Sequence, residues 1–534
     1  MSTSLEKKRD DQIDDIEKEE LSLKTSGFSG DTEARPPAHV EGVDAEIAEF
    51  FAQNPHLAGI VIDEAENKRL RWMIHKRVLV VMVVTYFAQT LDKGTINFAS
   101  IMGIREDTKL HGQQYAWLTT CLYIVILVVE FPTNRIIQRF PIGKILAFNI
   151  ISWGIVLACT AACTNFVGLV TVRTLLGAFE CICQPAFVFL STMWYRREEQ
   201  GLIIASFYAM NGFQQCVGGL LAYGIAHIKH AAIKNWQVLF TLLGSCTVAW
   251  GIFVLYWLPD SPMRAKCWSM EDRVKMVERV RANDTGIQNK QFKWYQFKEG
   301  LMDPVVWAVT LISFTNALPT GGLGAFSNII LKQFGFTVLQ TYLLAIAQGS
   351  VIMSFLFSAA YIAKRVNQKL LLAFIYTLPN VIGTIVFLSV PPNPSTKVGL
   401  YISFLLTQAF AAVAVLNLAV MSGNIAGRTK QVVATSLVFI FWAGGNAAGP
   451  QVFRTNDAPR YRKAFTAHIV VYAIQCATIL FLRIYLMRRN VLKRRDQAKT
   501  LTKTSGEDKD ERIGHKMAFD DLTDRENPDF RYVY

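Results

Sequence analysis

The chain has 534 residues, 51% hydrophobic and 12% aromatic, with a mean hydropathy of +0.26 and a formal net charge of +13. Its apolar residues come in runs of about 20, the length a helix needs to cross a bilayer, which excludes an ordinary soluble fold and predicts an all-α polytopic membrane protein. Much of the positive excess lies beside these runs, as in Arg488, Arg489, Lys493, Arg494 and Arg495, so a lipid bilayer with anionic headgroups accounts for it and no nucleic acid partner is expected.

Residues 1–70 are polar and lack a short apolar core near Met1, so they read as a disordered cytoplasmic tail with no signal peptide. Residues 71–258 hold six candidate spans: Val78 to Ala99, Tyr115 to Asn134, Ile145 to Cys163, Phe166 to Leu190, Gly201 to Ile225 and Trp236 to Leu258. Residues 259–304 form a charged cytoplasmic loop. In it Ser269, Glu271 and Asp272 resemble a helix-start capping box, and Val274, Val277 and Val280 follow at helical spacing, which predicts an amphipathic helix. Residues 305–487 hold six more spans: Val305 to Leu331, Val338 to Ala363, Leu370 to Val390, Val398 to Met421, Gln431 to Phe453 and Ala464 to Met487. Residues 488–534 are a basic, then mixed-charge, cytoplasmic tail.

Lys and Arg are biased toward one set of loops: with both termini inside, the inner loops carry 19 and the outer loops 10. That bias favours both ends in the cytoplasm. The cluster of Arg454, Arg460, Arg462 and Lys463 between the last two spans runs against it. Two groups of six spans joined by a long inner loop is the layout of the major facilitator fold, in which the substrate sits near mid-bilayer between two pseudo-symmetric halves. Eight of the nine cysteines fall inside spans, so neither a disulfide framework nor a metal site is expected, and nothing calls for a cofactor.

Charges inside spans carry the functional signal, because each is costly at bilayer depth. In the first span Asp92 and Lys93 are the only charged residues, and in the fourth Arg173 and Glu180 are. Asp92 lies about 14 residues from the inner end, roughly 21 Å along the helix, and Arg173 lies roughly 10 Å from the outer boundary, so the two spans bring charge to similar depth. Glu180 is two turns from Arg173 on nearly the same face. Arg suits a carboxylate, since its fork makes two parallel hydrogen bonds and it stays charged when buried, and Lys93 adds a second cationic contact. A buried acid beside such cations titrates in response to whether an anion occupies them, which links substrate to protons.

Glu130, near the inner end of the second span, is expected to pair with Arg135 and Arg139 and help hold an inner gate. Spans five through eleven carry no formal charge, so the second half contacts substrate through neutral groups, with Asn316, Gln348, Asn417 and Asn446 as candidates. His468 and Arg483 read as packing and snorkelling groups respectively.

With these residues in view, the chain resembles the anion:cation symporter branch of the major facilitator superfamily, and within it the fungal allantoate permease group. The resemblance runs over most of Ala65 to Met487. It rests on LDKGTIN at Leu91 to Asn97, EFPTN at Glu130 to Asn134, NFVGLVTVRTLLGAFE at Asn165 to Glu180, LPDSP at Leu258 to Pro262, GNAAGPQVF at Gly445 to Phe453 and APRY at Ala458 to Tyr461. The resemblance implies a proton-coupled importer of a small organic anion, working by alternating access as a monomer in the plasma membrane. It assigns Arg173 and Lys93 to substrate, and Asp92 and Glu180 to protons. Lys93 stands where the wider branch usually has Arg. A drug antiporter would carry a proline in its fifth span, which Gly201 to Ile225 lacks, and an enzyme would need a catalytic cluster; a transporter-like nutrient sensor would keep the same charges.

Overall fold

The structure is a computed structural model that describes residues 62–228, 232–281, 293–366, 368–503, 522–527 and 530–534. The expected tail up to residue 61 lies outside these. Every regular element among the described residues is helical. All twelve predicted spans fall on a helix or a closely linked pair. In the first half these are Val80–Ala99, Gln114–Arg139, Ile142–Cys159, Phe166–Glu180 with Cys183–Trp194, Arg197–Tyr208 with Met210–Ala226, and Asn235–Trp257. The second half follows with Pro304–Gln333, Val338–Val366, Lys369–Ser389, Lys397–Leu406 with Phe410–Asn424, Arg428–Val452 and Arg462–Lys503.

By length and apolar composition, nine helical stretches among the described residues suffice to cross a membrane. They become ten if Trp294–Met302 and Pro304–Gln333, bent by 58°, form one span. The second span falls short because its apolar part is only Gln114–Glu130, and the fifth because it breaks at Ala209. The fourth and tenth spans are also interrupted, at Cys181–Ile182 and at the tight turn Thr407–Ala409. Non-helical backbone at such depth persists only where protein groups satisfy it. At the fourth-span break, Gln89 Nε2 donates to the Glu180 carbonyl at 2.9 Å.

The halves meet along three seams: the fifth span against the eighth, the second against the eleventh, and the first against the seventh. Small residues permit this closeness. A Cβ on Gly212 would lie 2.7 Å from the Gly349 carbonyl oxygen, so the fifth and eighth helices touch backbone to backbone there.

At the end of the bundle that carries the 259–304 segment, each half is tied down by chain from outside the spans. Glu64–Ile74 is helical, so the tail boundary expected at residue 70 moves back. Asp63 caps this helix, Leu70 and Ile74 are buried, and Arg69 and Glu66 pair with Asp272 (2.9 Å) and Lys275 (3.2 Å) of helix Met270–Arg281. Buried Arg279 of that helix donates to both Glu199 oxygens at 2.5 Å and to Asn67 at 2.6 Å.

In the second half, residues 522–527 and 530–534 do not hang free as a tail: they form a strap over the ends of the tenth, eleventh and twelfth spans. Asn424 donates to the Val533 carbonyl (2.8 Å) and accepts from its amide (2.7 Å). Asn490 does the same to Tyr532, at 2.8 and 2.9 Å. Such paired bonds satisfy both backbone groups of an extended residue, replacing a sheet partner. Beside them, fully buried Lys430 reaches Glu299 (2.8 Å), Asp303 (2.5 Å) and Asp524 (2.5 Å). Its ammonium fills the centre of this acidic trio. Arg525 also reaches Asp303 (3.3 Å) and Glu299 (3.8 Å), but Lys430 is the group that touches all three carboxylates, so Lys430→Met is expected to cost about 3–5 kcal/mol. Thermal unfolding of the purified chain measures it, and an unchanged midpoint would contradict this account of the strap.

Candidate substrate site

A cavity of about 310 Å³ lies between the halves. Its wall includes Lys93, Arg173, Asn316, Gln348, Asn417 and Asn446. All six residues expected to meet substrate therefore border one space. Tyr86, Tyr123, Phe439 and Trp442 add aromatic surface.

The first span presents Lys93 to this cavity, where its Nζ lies 3.5 Å from Glu180 Oε2. Glu180 sits at the last turn before the fourth-span break and is fully buried, and neither carboxylate oxygen has a hydrogen-bond partner. One turn of helix before it, Gly177 has no Cβ, which would lie 2.8 Å from the Leu122 carbonyl oxygen. That gap lets the second span pack directly on the fourth. Arg173, two turns from Glu180, is 1% exposed and lies 5.6 Å from the Phe240 ring centre. Its Nε and Nη2 have no partner, and no ion pair joins it to Glu180 or Asp92 among the described residues. A buried guanidinium with uncommitted donors on a cavity wall is a ready seat for an anion.

Asp92 behaves differently from its neighbour. Consecutive helical residues point about 100° apart, and Asp92 turns into the first half, accepting from Trp153 Nε1 at 3.0 Å and Thr247 at 3.1 Å. It is not on the cavity wall. Neither acid expected to carry protons lines the cavity: Glu180 pairs with the wall residue Lys93, and Asp92 is anchored further behind the wall.

The inner-gate pairing also differs. Glu130 and Arg139 are nine residues apart on one helix, about two and a half turns, which places them on opposite faces. Glu130 has no ion pair among the described side chains and Arg139 is exposed. The Arg135 side chain lies outside the described residues.

A feature the charges did not signal is a run of amides crossing between the halves. Gln214 donates to Gln215 at 3.2 Å, Gln215 to Gln348 at 3.1 Å, and Gln348 to Gln408 at 3.2 Å. Gln408 lies in the turn that interrupts the tenth span. Further bonds join the halves at the end away from the 259–304 segment. Asn97 donates to Ser327 (2.6 Å), Tyr115 to the Ala325 carbonyl (2.8 Å), Thr120 to the Ala447 carbonyl (2.8 Å) and Gln451 to Thr120 (2.9 Å). These bonds hold the two halves together at that end of the bundle.

Two packed six-helix halves around a central cavity is a transporter's architecture, and the sequence match decides which. The family model described as Major Facilitator Superfamily matches residues 82–450. The chain belongs to the major facilitator superfamily. It is 32% identical to the allantoate permease of Saccharomyces cerevisiae, over 89% of this chain and 88% of that one. It is likewise 32% identical to the thiamine pathway transporter THI73 of the same yeast, over 98% and 94%. Among solved structures, a bacterial homolog of the human lysosomal transporter Spinster, inward-facing and occupied, is similar with a TM-score of 0.59 and 14% identity, covering 77% of this chain and 97% of that one. The protein is thus an integral membrane transporter of the major facilitator superfamily and not an enzyme.

Proposed function

We propose that this major facilitator transporter imports a small organic anion, a carboxylate, together with protons. The observation that carries the reading is a cavity walled by Lys93 and by an unpartnered, buried Arg173, with Glu180 paired to Lys93 behind the wall. Arg173 receives the carboxylate. Lys93 is shared: while Glu180 is ionised it holds the ammonium, and when Glu180 takes a proton the ammonium is released toward the anion. Proton binding and anion binding then favour each other, and by linkage the help is reciprocal. Similarity to allantoate permease supports an anionic substrate.

The energetic need is plain. An inside-negative potential opposes entry of an anion by about 2.3 kcal/mol per charge per 100 mV, and one accompanying proton cancels that opposition. Glu180 is the acid in position to carry it. Asp92, anchored to Trp153 and Thr247, is placed to serve as a second proton site behind the wall. With both termini in the cytoplasm, as the loop charges favour, the end of the bundle where the Asn97–Ser327 and Thr120–Ala447 bonds join the halves faces the outside, and the carrier works as a monomer in the plasma membrane.

The test is uptake of labelled carboxylates by cells lacking their own permeases. Accumulation should rise as external pH falls and collapse on adding a protonophore. Uptake indifferent to both would contradict proton coupling, and binding without uptake would point to a sensor.

A further inference from the structure

Resting on that anion-transport reading, we propose that the site has a second pole, in which the side-chain oxygens of Gln214, Asn316 and Asn417 read hydrogen-bond donors on the substrate. The transported carboxylate would then carry N–H or O–H groups away from its charged end.

The three side chains line the cavity, and their oxygens are buried without a partner. An amide's two ends are easily exchanged in assigning a structure, but here the neighbours fix which end is which. Asn316 Nδ2 faces the Phe410 carbonyl at 3.3 Å, Asn417 Nδ2 faces the Val309 carbonyl at 3.0 Å, and Gln214 Nε2 faces the Asn211 carbonyl at 3.2 Å. A carbonyl can only accept, so each nitrogen must stay turned toward it and each oxygen must stay free. The three groups are therefore committed acceptors with unused capacity. Buried polar groups are normally satisfied, and three acceptors left open on one cavity wall have capacity for donors carried by a ligand.

The pattern is polarised. Arg173, in the first half, offers donors only, and Asn316 and Asn417, in the second half, offer acceptors only. Gln214 lies at the boundary, where a Cβ on Gly94, the residue after Lys93, would be 3.2 Å from its oxygen. It also heads the amide run that ends at Gln408, so a donor meeting Gln214 would engage both halves. A ligand with an acid at one end and donors at the other fits this wall in one orientation. A plain carboxylate with an ester or ether tail would leave the acceptors unmet.

The experiment compares matched carboxylates on the purified full-length protein, by titration calorimetry. Succinamate carries an amide N–H₂, and monomethyl succinate replaces it with an ester of similar size that cannot donate. The proposal expects succinamate to bind at least about tenfold tighter, the scale of one lost hydrogen bond at a buried acceptor. Gln214→Leu and Asn316→Leu should each shrink that preference, lowering succinamate's affinity more than the ester's. Equal binding of the two probes to the unaltered protein overturns the proposal without needing any variant to fold. If both bind equally and Arg173→Ala abolishes both, the second pole fails and the anion reading stands. If Arg173→Ala leaves both unchanged, or neither probe binds at millimolar concentration, the anion reading fails with it.

Discussion

Glu180→Gln is expected to abolish pH-driven accumulation while leaving exchange of substrate across the membrane. The amide keeps the shape of the acid but cannot gain or lose a proton, and it no longer holds Lys93, which lies 3.5 Å away in the unaltered protein. Lys93 would then be permanently free for the anion. Binding should persist or tighten, and the carrier should still swap internal for external substrate. What disappears is the dependence of that binding on pH, and with it the ability to concentrate. Counterflow and net uptake measured side by side in reconstituted vesicles separate these two quantities. Normal accumulation across external pH would show that Glu180 carries no coupled proton.

Arg173→Ala is expected to remove anion binding itself. The guanidinium is 1% exposed and two of its nitrogens are unpartnered, so a bound carboxylate would be a desolvated, charge-assisted contact. Removing one partner of such a pair costs about 2–5 kcal/mol, or roughly 30- to several thousand-fold in affinity. Arg173→Lys should fall between, because an ammonium keeps the charge but loses the planar fork. Substrate-induced thermal stabilisation gives the readout. A shift as large in Arg173→Ala as in the unaltered protein would place the anion elsewhere.

Much of the fold was legible because each span had to satisfy its own backbone in lipid, which forces long apolar helices that composition reveals. The key charges were legible for the related reason that Asp92, Lys93, Arg173 and Glu180 are expensive where they stand. Their rotation was not. Asp92 and Lys93 are neighbours in sequence, yet one faces Trp153 and Thr247 and the other faces the cavity. Which of two adjacent residues looks inward depends on how the third and sixth spans pack against the first, and no local pattern encodes that.

Neutral groups were harder still. Asn316, Gln348, Asn417 and Asn446 stood out as amides in uncharged spans, whereas Gln214, Gln215 and Gln408 look no different from packing amides until the Gln215–Gln348 bond at 3.1 Å joins the halves. Their signal was weak but present: two consecutive glutamines in an apolar span cannot both face lipid. The strap of residues 522–527 and 530–534 left no such trace, because Tyr532 and Val533 are held by side chains of Asn490 and Asn424 acting on backbone, a contact with no sequence period.

The central claim is that anion and proton cross together through the cavity walled by Arg173 and Lys93, with the proton on Glu180 behind Lys93. Its most direct test is proton movement in liposomes holding the purified protein and a trapped pH dye, with equal pH on both sides at the start. Adding a transported carboxylate outside should acidify the interior, at a rate lost in Glu180→Gln. Entry of the labelled anion with no change in internal pH would contradict the account.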